Sequence, residues 1–353
     1  MQFHAQGHSL QSGYIIVLHL AAQGSENVRK IKYLIPAVLL LLLLCCACGK
    51  GTDESVETVD PYEGMVQVES GFGTKMWVKE YEDVPVSGFD ASQFIKDGQY
   101  VRCTDERFET LCGIDVSEHQ KEIDWAAVAD AGVEFAFIRL GYRGYSKGGL
   151  NVDEYFQANI DGALENGIRV GIYFFSQAIS VKEAEEEADF LLETLSPYAQ
   201  SITLPVLYDW EIIGTEDART NDVDGATLTR CALAFCAKVR QAGYDTGVYA
   251  YRYLAYFQYE LPSLMDYTLW IGAVGDVPDF YYRHDIWQYN AAGHIPGIEG
   301  EVDLDLLFVY PTEPDKAGDG TEPNGSGEEA PGTGETEDEM PDGLETNESA
   351  AGS

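Results

Sequence analysis

From Cys112 to Tyr251, apolar strand-like runs alternate with amphipathic helical segments, and no other feature of the 353-residue chain restricts its fold so tightly. CGIDVS precedes the helical DWAAVADAG, EFAFIRLGY precedes DEYFQANIDGALENG, and RVGIYFFS precedes VKEAEEEADFLLETL. LPVLYDWE is followed in turn by ATLTRCALAFCAKVRQAG and then by TGVYAY. Within the helices apolar residues recur at helical spacing, as at Val181, Ala184, Ala188, Leu191 and Leu195. Gly132, Gly167 and Gly243 stand where three of the helices should end in a left-handed residue. The strands are apolar on both faces, which suits parallel strands covered by helices. Three further runs, TLWIGAV, HDIWQYN and VDLDLLF, are strand-like but joined by short Gly-, Pro- and aromatic-rich segments. Eight strands with helices only in the first part predict an α/β fold, a β/α barrel whose later crossovers have degenerated. Alternation alone leaves a doubly wound open sheet as the competing arrangement.

The flanks read differently. A chain with 45% hydrophobic residues and this length can bury one large core of a single domain, so the remainder must be extensions. A formal net charge of -38 argues against nucleic acid as a partner, because binding phosphate requires Lys and Arg to displace its counterions. Arg29, Lys30 and Lys32 precede an apolar run from Tyr33 to Leu44 and then CCACGK. This resembles a bacterial lipoprotein signal, with Ala47 before the lipidated Cys48, although Cys45 stands where such signals usually carry Leu. An uncleaved membrane anchor is the alternative, but the run is shorter than the roughly 20 residues a bilayer span needs. The expected organisation is then residues 1–27 upstream of the true start at Val28, a signal over 28–48, and a tether over 49–60. A small β-rich extension over 61–110, a barrel over 111–310 and an acidic disordered tail over 311–353 complete it. The expected location is extracytoplasmic, on the cell membrane through the lipid. In that setting Cys103 and Cys112, flanking TDERFETL, are expected to form a disulfide across a hairpin. Cys231 and Cys236 point apart on one helix and read as small buried side chains. No Cys/His set has zinc spacing.

Chemistry in a β/α barrel sits at the C-terminal ends of its strands. Residues two apart on a strand share a side, so Asp209 and Glu211 project together into the mouth while Trp210 turns away. Asp115 ends the first strand, and Asp303 and Asp305 lie in the last, which neighbours the first when a barrel closes. Crowded carboxylates raise one another's pKa, so one of them can stay protonated near neutral pH and act as an acid. Glycoside hydrolysis needs that acid and a negative neighbour for its cationic transition state. Oxygen ligands would equally suit calcium or magnesium, and strand-end acids also occur simply solvated or capping helices. Tyr142, Tyr173, Phe175, Tyr208, Tyr249, Tyr251, Trp270, Trp287 and Tyr289 all fall at or near strand ends, where rings can stack on sugars.

CGIDVSEHQ with DW downstream, GIYFFSQA, PVLYDWE, the Trp287–Gln288 pair of DIWQYN, and GIEGEVDLDLLF together resemble glycoside hydrolase family 25, the Chalaropsis-type lysozymes. The resemblance runs over residues 111–310 and implies a TIM-like barrel of five β/α units with three trailing strands. It also implies β-1,4-N-acetylmuramidase activity on peptidoglycan, without metal or cofactor, in a monomer. It puts the general acid at Glu211, its partner at Asp209, and further site acids at Asp115 and Asp303. Tyr142, Tyr173, Tyr208, Tyr251, Trp270, Trp287, Gln288 and Tyr289 are the expected glycan contacts. The chain departs from the family at Asp305, where Asn is common; an added negative charge there is expected to move the pH optimum if it faces the site. Two other functions fit the pattern: a non-catalytic wall-binding lipoprotein, and a glycosidase acting on another N-acetylated glycan.

Overall fold

The computed structural model describes residues 60–310, so the signal, Cys48, the tether and the acidic tail lie outside the described residues. Among the described residues no helix is long and apolar enough to cross a membrane.

Two hairpins come first: β1 (Met65–Glu69) with β2 (Lys75–Lys79), and β3 (Phe94–Asp97) with β4 (Tyr100–Cys103). The barrel strands follow as β5 (Glu109–Val116), β6 (Phe135–Arg143), β8 (Arg169–Ser176), β9 (Val206–Trp210), β10 (Thr246–Tyr251), β11 (Thr268–Gly272), β12 (Ile286–Gly293) and β13 (Val302–Val309). A short β7 (Leu150–Val152) is added antiparallel to the far end of β6. β5 pairs with both β6 and β13, which closes the sheet and excludes the doubly wound alternative. Helices α1 (Trp125–Asp130), α2 (Phe156–Glu165), α3 (Val181–Leu195) and α4 (Gly225–Gln241) cover the outside. The α1, α3 and α4 starts are capped by Asp124, Ser180 and Asp224, each accepting a backbone N–H of the first turn. Gly132, Gly167 and Gly243 adopt positive φ after α1, α2 and α4, the conformation a helix-terminating glycine supplies. After β10 the crossover holds only the six-residue α5 (Arg252–Phe257) and a 3-10 turn. The fifth β/α unit is therefore much reduced, and the last two connections have no helix.

The side chains sort by parity. Leu111, Phe135, Phe137, Tyr173, Leu207, Tyr249, Trp270, Ile286 and Leu307 form one buried cluster inside the barrel. A Cβ on Gly113 would meet the Phe135 ring at 2.3 Å, so a glycine there lets that ring occupy the interior. The alternate residues face outward and join a second cluster with the helices.

β13 runs antiparallel to both neighbours, and with β5 and β12 it lacks a crossover helix on its outer face. The N-terminal segment supplies the missing cover. Phe94 packs edge-on against Trp287 at 6.0 Å, and Phe89 lies 4.5 Å from Phe308. A bridge from Val86 to Tyr282 and a hydrogen bond from the Tyr282 hydroxyl to the Lys79 carbonyl anchor the rest. This packing corrects the expected disulfide. Cys103 pairs in the sheet with Phe94, not with the strand that carries Cys112, and its sulfur accepts the Asp105 N–H at 3.5 Å. Cys112 faces the Tyr289 hydroxyl, and both thiols are free.

His284 sits among Phe89, Phe280 and Phe308, with Nδ1 against the Tyr282 carbonyl and Nε2 without a partner. Burial pushes its pKa down to about 4. A His held below its unfolded value contributes stability that is present above pH 6.5 and lost as pH falls towards 4, about 3 kcal/mol in all. His284→Phe is expected to remove that acid-side slope, read as a smaller stability difference between pH 7 and pH 4.5 in urea titrations. An unchanged difference would show that the imidazole titrates normally in the folded chain.

Candidate active site

The C-terminal end of β9 builds the centre. Tyr208 and Trp210 turn outward, and the Trp210 indole donates to the Ala178 carbonyl at 3.2 Å, which fixes the strand end. Asp209 therefore points inward, 4% exposed, with Oδ1 buried and lacking any hydrogen-bond partner. Glu211 follows at the rim, partly exposed. Gln177, just after β8, donates Nε2 to the Glu211 carbonyl at 2.9 Å and accepts from the Thr220 hydroxyl at 3.0 Å. Arg219 closes the same loop onto the Gln177 carbonyl and the Glu183 carboxylate. The backbone that carries Glu211 is thus held from both sides.

Opposite in the barrel, Asp303 and Asp115 are direct partners in the antiparallel β13–β5 ladder. Asp303 reaches the mouth because β13 is reversed: it stands near the start of its strand, not the end where a parallel strand would carry it. Gln288 donates Nε2 to Asp115 Oδ2 at 2.8 Å and accepts the Tyr249 hydroxyl at 2.9 Å. Below them the Trp270 indole donates to Asp305 Oδ1 at 2.8 Å. Phe175 pairs in register with Asp209, Tyr173 belongs to the interior cluster, and Tyr251 lies near enough for the Glu211 charge to add to the upward shift that burial gives it. Tyr142 is half-buried beyond an irregularity in β6 and lies under the Arg139 guanidinium at 5.2 Å.

Three expected glycan contacts are not in the site. Tyr208 is fully buried against Phe235 of α4 and exchanges a hydrogen bond with Ser176. Trp287 donates its indole to the Ala273 carbonyl and packs on Phe94, and Tyr289 is buried beside it at 5.4 Å. All three have the outward parity of their strands. Two polar residues that the sequence reading passed over, Gln177 and Arg139, belong to the site. Arg139 is nearly buried, pairs with Asp153 at 2.8 Å, and is the cation that acts on Asp209. The readable signal was a charged residue at inward parity in the otherwise apolar EFAFIRLGY.

Burial, and then the neighbouring Glu211 and Asp115 charges, pushes the Asp209 carboxyl well up; Arg139 opposes the shift. Burial pushes Glu211 up to about 7. The pair shares a proton near neutral pH: burial and the Glu211 charge favour holding it on Asp209, and Arg139 opposes that by favouring the charged form of Asp209. Burial, followed by Asp115 and Glu211, also raises Asp303. Among the described residues no group of three or more His, Cys, Asp or Glu side chains is arranged to hold a metal ion.

A closed β/α barrel with a protonated acid beside a second carboxyl at the end of one strand is an architecture of glycoside hydrolases. The chain belongs to glycosyl hydrolases family 25, whose model matches residues 114–298. It is similar to lysozyme M1 of Streptomyces globisporus, 26% identical over 203 residues that cover 54% of this chain and 65% of that one. The autolytic lysozyme of Clostridium acetobutylicum is 25% identical over 195 residues, covering 55% of this chain and 54% of its own. The chain thus spans roughly half to two thirds of the length of these curated relatives. Among solved structures, the modular autolysin LytC of Streptococcus pneumoniae, also determined with a synthetic peptidoglycan ligand, superposes with a TM-score of 0.50 at 25% identity. That match covers 69% of this chain and 56% of the autolysin.

Proposed function

We propose that this protein is a peptidoglycan hydrolase that cleaves the β-1,4 bond between N-acetylmuramic acid and N-acetylglucosamine. The observation that carries the reading is Glu211, an acid whose proton is retained to about pH 7 beside the buried, unpartnered Asp209 oxygen. A docking surface gains nothing from such a pair; a glycosidase needs the first to protonate the leaving oxygen. The lysozyme names of the relatives and the peptidoglycan ligand of the pneumococcal autolysin support the substrate. Tyr173, Tyr249, Tyr251 and Tyr142 supply rings and hydroxyls around the acids, and Trp270 supports them from below. The expected test is digestion of purified cell walls with identification of the new reducing ends. Muramic ends support the reading; glucosamine ends, or no digestion, would replace it with another activity or with wall binding alone. The anchoring proposed for Cys48 would hold a monomeric enzyme against the wall at the membrane.

Asp209 and Glu211 lie two residues apart along one strand, about 6.5 to 7 Å of backbone, so they approach a bound sugar from one side. That disfavours a nucleophile and an acid on opposite faces, the arrangement of the two-carboxylate scheme. We propose instead that the substrate's 2-acetamido oxygen attacks the anomeric carbon while Glu211 protonates the departing oxygen. Asp209 then orients the amide N–H and stabilises the positive oxazolinium-like intermediate. Water opens that intermediate, with Glu211 returning as base. A glycan de-N-acetylated at the cleaved muramic residue is expected to bind but hardly turn over, and Asp209→Asn to slow formation of the intermediate. A glycosyl ester trapped on a carboxylate would sink this route.

A further inference from the structure

Asp305 has an unusual place for an acid. It is fully buried beneath the mouth, Oδ1 accepts the Trp270 indole, and Oδ2 accepts from no N–H or hydroxyl donor. The Asp115 carboxyl lies within hydrogen-bonding reach of it, and Asp115 Oδ2 is already taken by Gln288. Gln288 donates to Asp115 and accepts from Tyr249, and neither contact brings a donor to Asp305. Two carboxyl groups therefore meet with acceptors only, in a place without solvent, unless one of them carries a hydrogen.

We propose that Asp115 and Asp305 form a dyad that shares one proton at working pH, so that Asp305 acts as a positioning residue that holds Asp115 in the mouth. The short O–H···O bond between them would be the third fixed contact of the chain Tyr249–Gln288–Asp115–Asp305–Trp270. Sharing one proton leaves the pair with a single negative charge instead of two. Asp305 is thereby no extra anion, which replaces the expectation that it adds a charge to the site. The other acids around the dyad agree with one charge: Asp303 on β13 raises Asp305 and is itself raised by Asp115, and Glu211 at the rim raises Asp115, so a second anion would be repelled by each. Burial, then the Asp305 charge, pushes Asp115 well up; burial, then the Asp303 charge, pushes Asp305 well up, while its hydrogen bonds to Trp270 and Asp115 draw it back.

The proton itself can be read without activity, whereas its catalytic consequence rests on the glycosidase reading. Infrared difference spectra of the full chain at neutral pH, wild type against Asp115→Asn/Asp305→Asn, are expected to show the loss of one protonated-carboxyl band. Loss of none would mean that both acids are ionised, and loss of two that both are protonated; either overturns the dyad. If the double variant does not fold, Asp305→Asn and Asp115→Asn serve singly, each expected to lose that one band and to show an ionised-carboxylate band from the acid that remains. In wall digestion Asp305→Asn keeps the pair's charge and a donor towards Asp115, so kcat is largely retained and the alkaline midpoint set by Glu211 does not move. Asp305→Ala, without a donor, loses most of kcat with KM little changed. A midpoint shifted by Asp305→Asn, or an Asn variant as slow as the Ala one, would refute the positioning role. Failure of wild-type digestion with the infrared result intact would strike only the substrate reading.

Discussion

Glu211→Gln is expected to lower kcat on cell walls by about 10² to 10⁴-fold, the range that general acid catalysis spans. The amide keeps the shape of the acid but has no proton acidic enough to follow the departing sugar oxygen. The fold should survive intact, because Gln177 holds Glu211 through its backbone carbonyl and not through its side chain. Stability at neutral pH should even rise, since a carboxyl raised from 4.5 to about 7 on folding costs stability progressively as pH climbs between those two values, and at neutral pH most of that cost is present. The same sign sets the pH profile: wild-type activity falls as Glu211 loses its proton near pH 7, and the residual activity of the variant lacks that limb. Near wild-type lysis by a folded Gln variant would remove Glu211 from the acid's role.

Arg143→Ala is expected to cost about 3 to 5 kcal/mol of stability, the range for removing one partner of a buried ion pair. Arg143 ends β6 almost out of contact with solvent, with Nε 2.6 Å from Glu187 Oε1 and its other nitrogens on the Gly148 and Glu183 carbonyls. Glu187 is fully buried on α3, and its second oxygen accepts the Ser176 hydroxyl at 2.6 Å. Burial already pushes this acid up to about 7 against the pull of Ser176 and Arg143. Without the guanidinium its folded pKa rises further, so the deficit should widen as pH rises and shrink in acid. Urea unfolding at pH 5 and pH 8 checks this, and an equal loss at both would assign the effect to packing alone. Partial recovery in Arg143→Ala/Glu187→Gln would identify the stranded charge as the cause.

How much of this was legible depended on whether the signal was local. Parity along one strand put Asp209 inward, and β9 shows it there; Glu211 falls one residue past the strand's end, close enough for its charge to act on Asp209. Helix spacing and terminal glycines likewise reported contacts within a turn or two. Parity also contained the answer for Tyr208, Trp287 and Tyr289, whose positions alternate with the inward Asp209, Gln288 and Ile286. Aromatic character near a strand end outweighed it in the reading, because buried rings and sugar-stacking rings look alike in composition. What no local pattern contained was direction and cover: the reversal of β13, and the hairpins that lie over Trp287 and Phe308. The cysteine pair failed for the same reason, since β4 pairs with β3 and leaves Cys103 and Cys112 on different partners.

The hairpins that cover the helix-free side have a kinetic meaning. Tyr81 and Tyr282 are joined by a hydrogen bond across a separation of 201 residues, and the surface that receives Phe89 and Phe94 includes Phe308 of the last barrel strand. The hairpin segment can therefore dock only after the last barrel strand has closed the ring, a long-range closure of the kind that slows folding. Until then the apolar backs of β5, β12 and β13 stay open to solvent and to other chains. A piece cut just before β5, at residue 109, would be arrested at that stage as a ring without its clasp, whereas a cut at residue 114, where the family match begins, would also remove most of the strand that closes the ring.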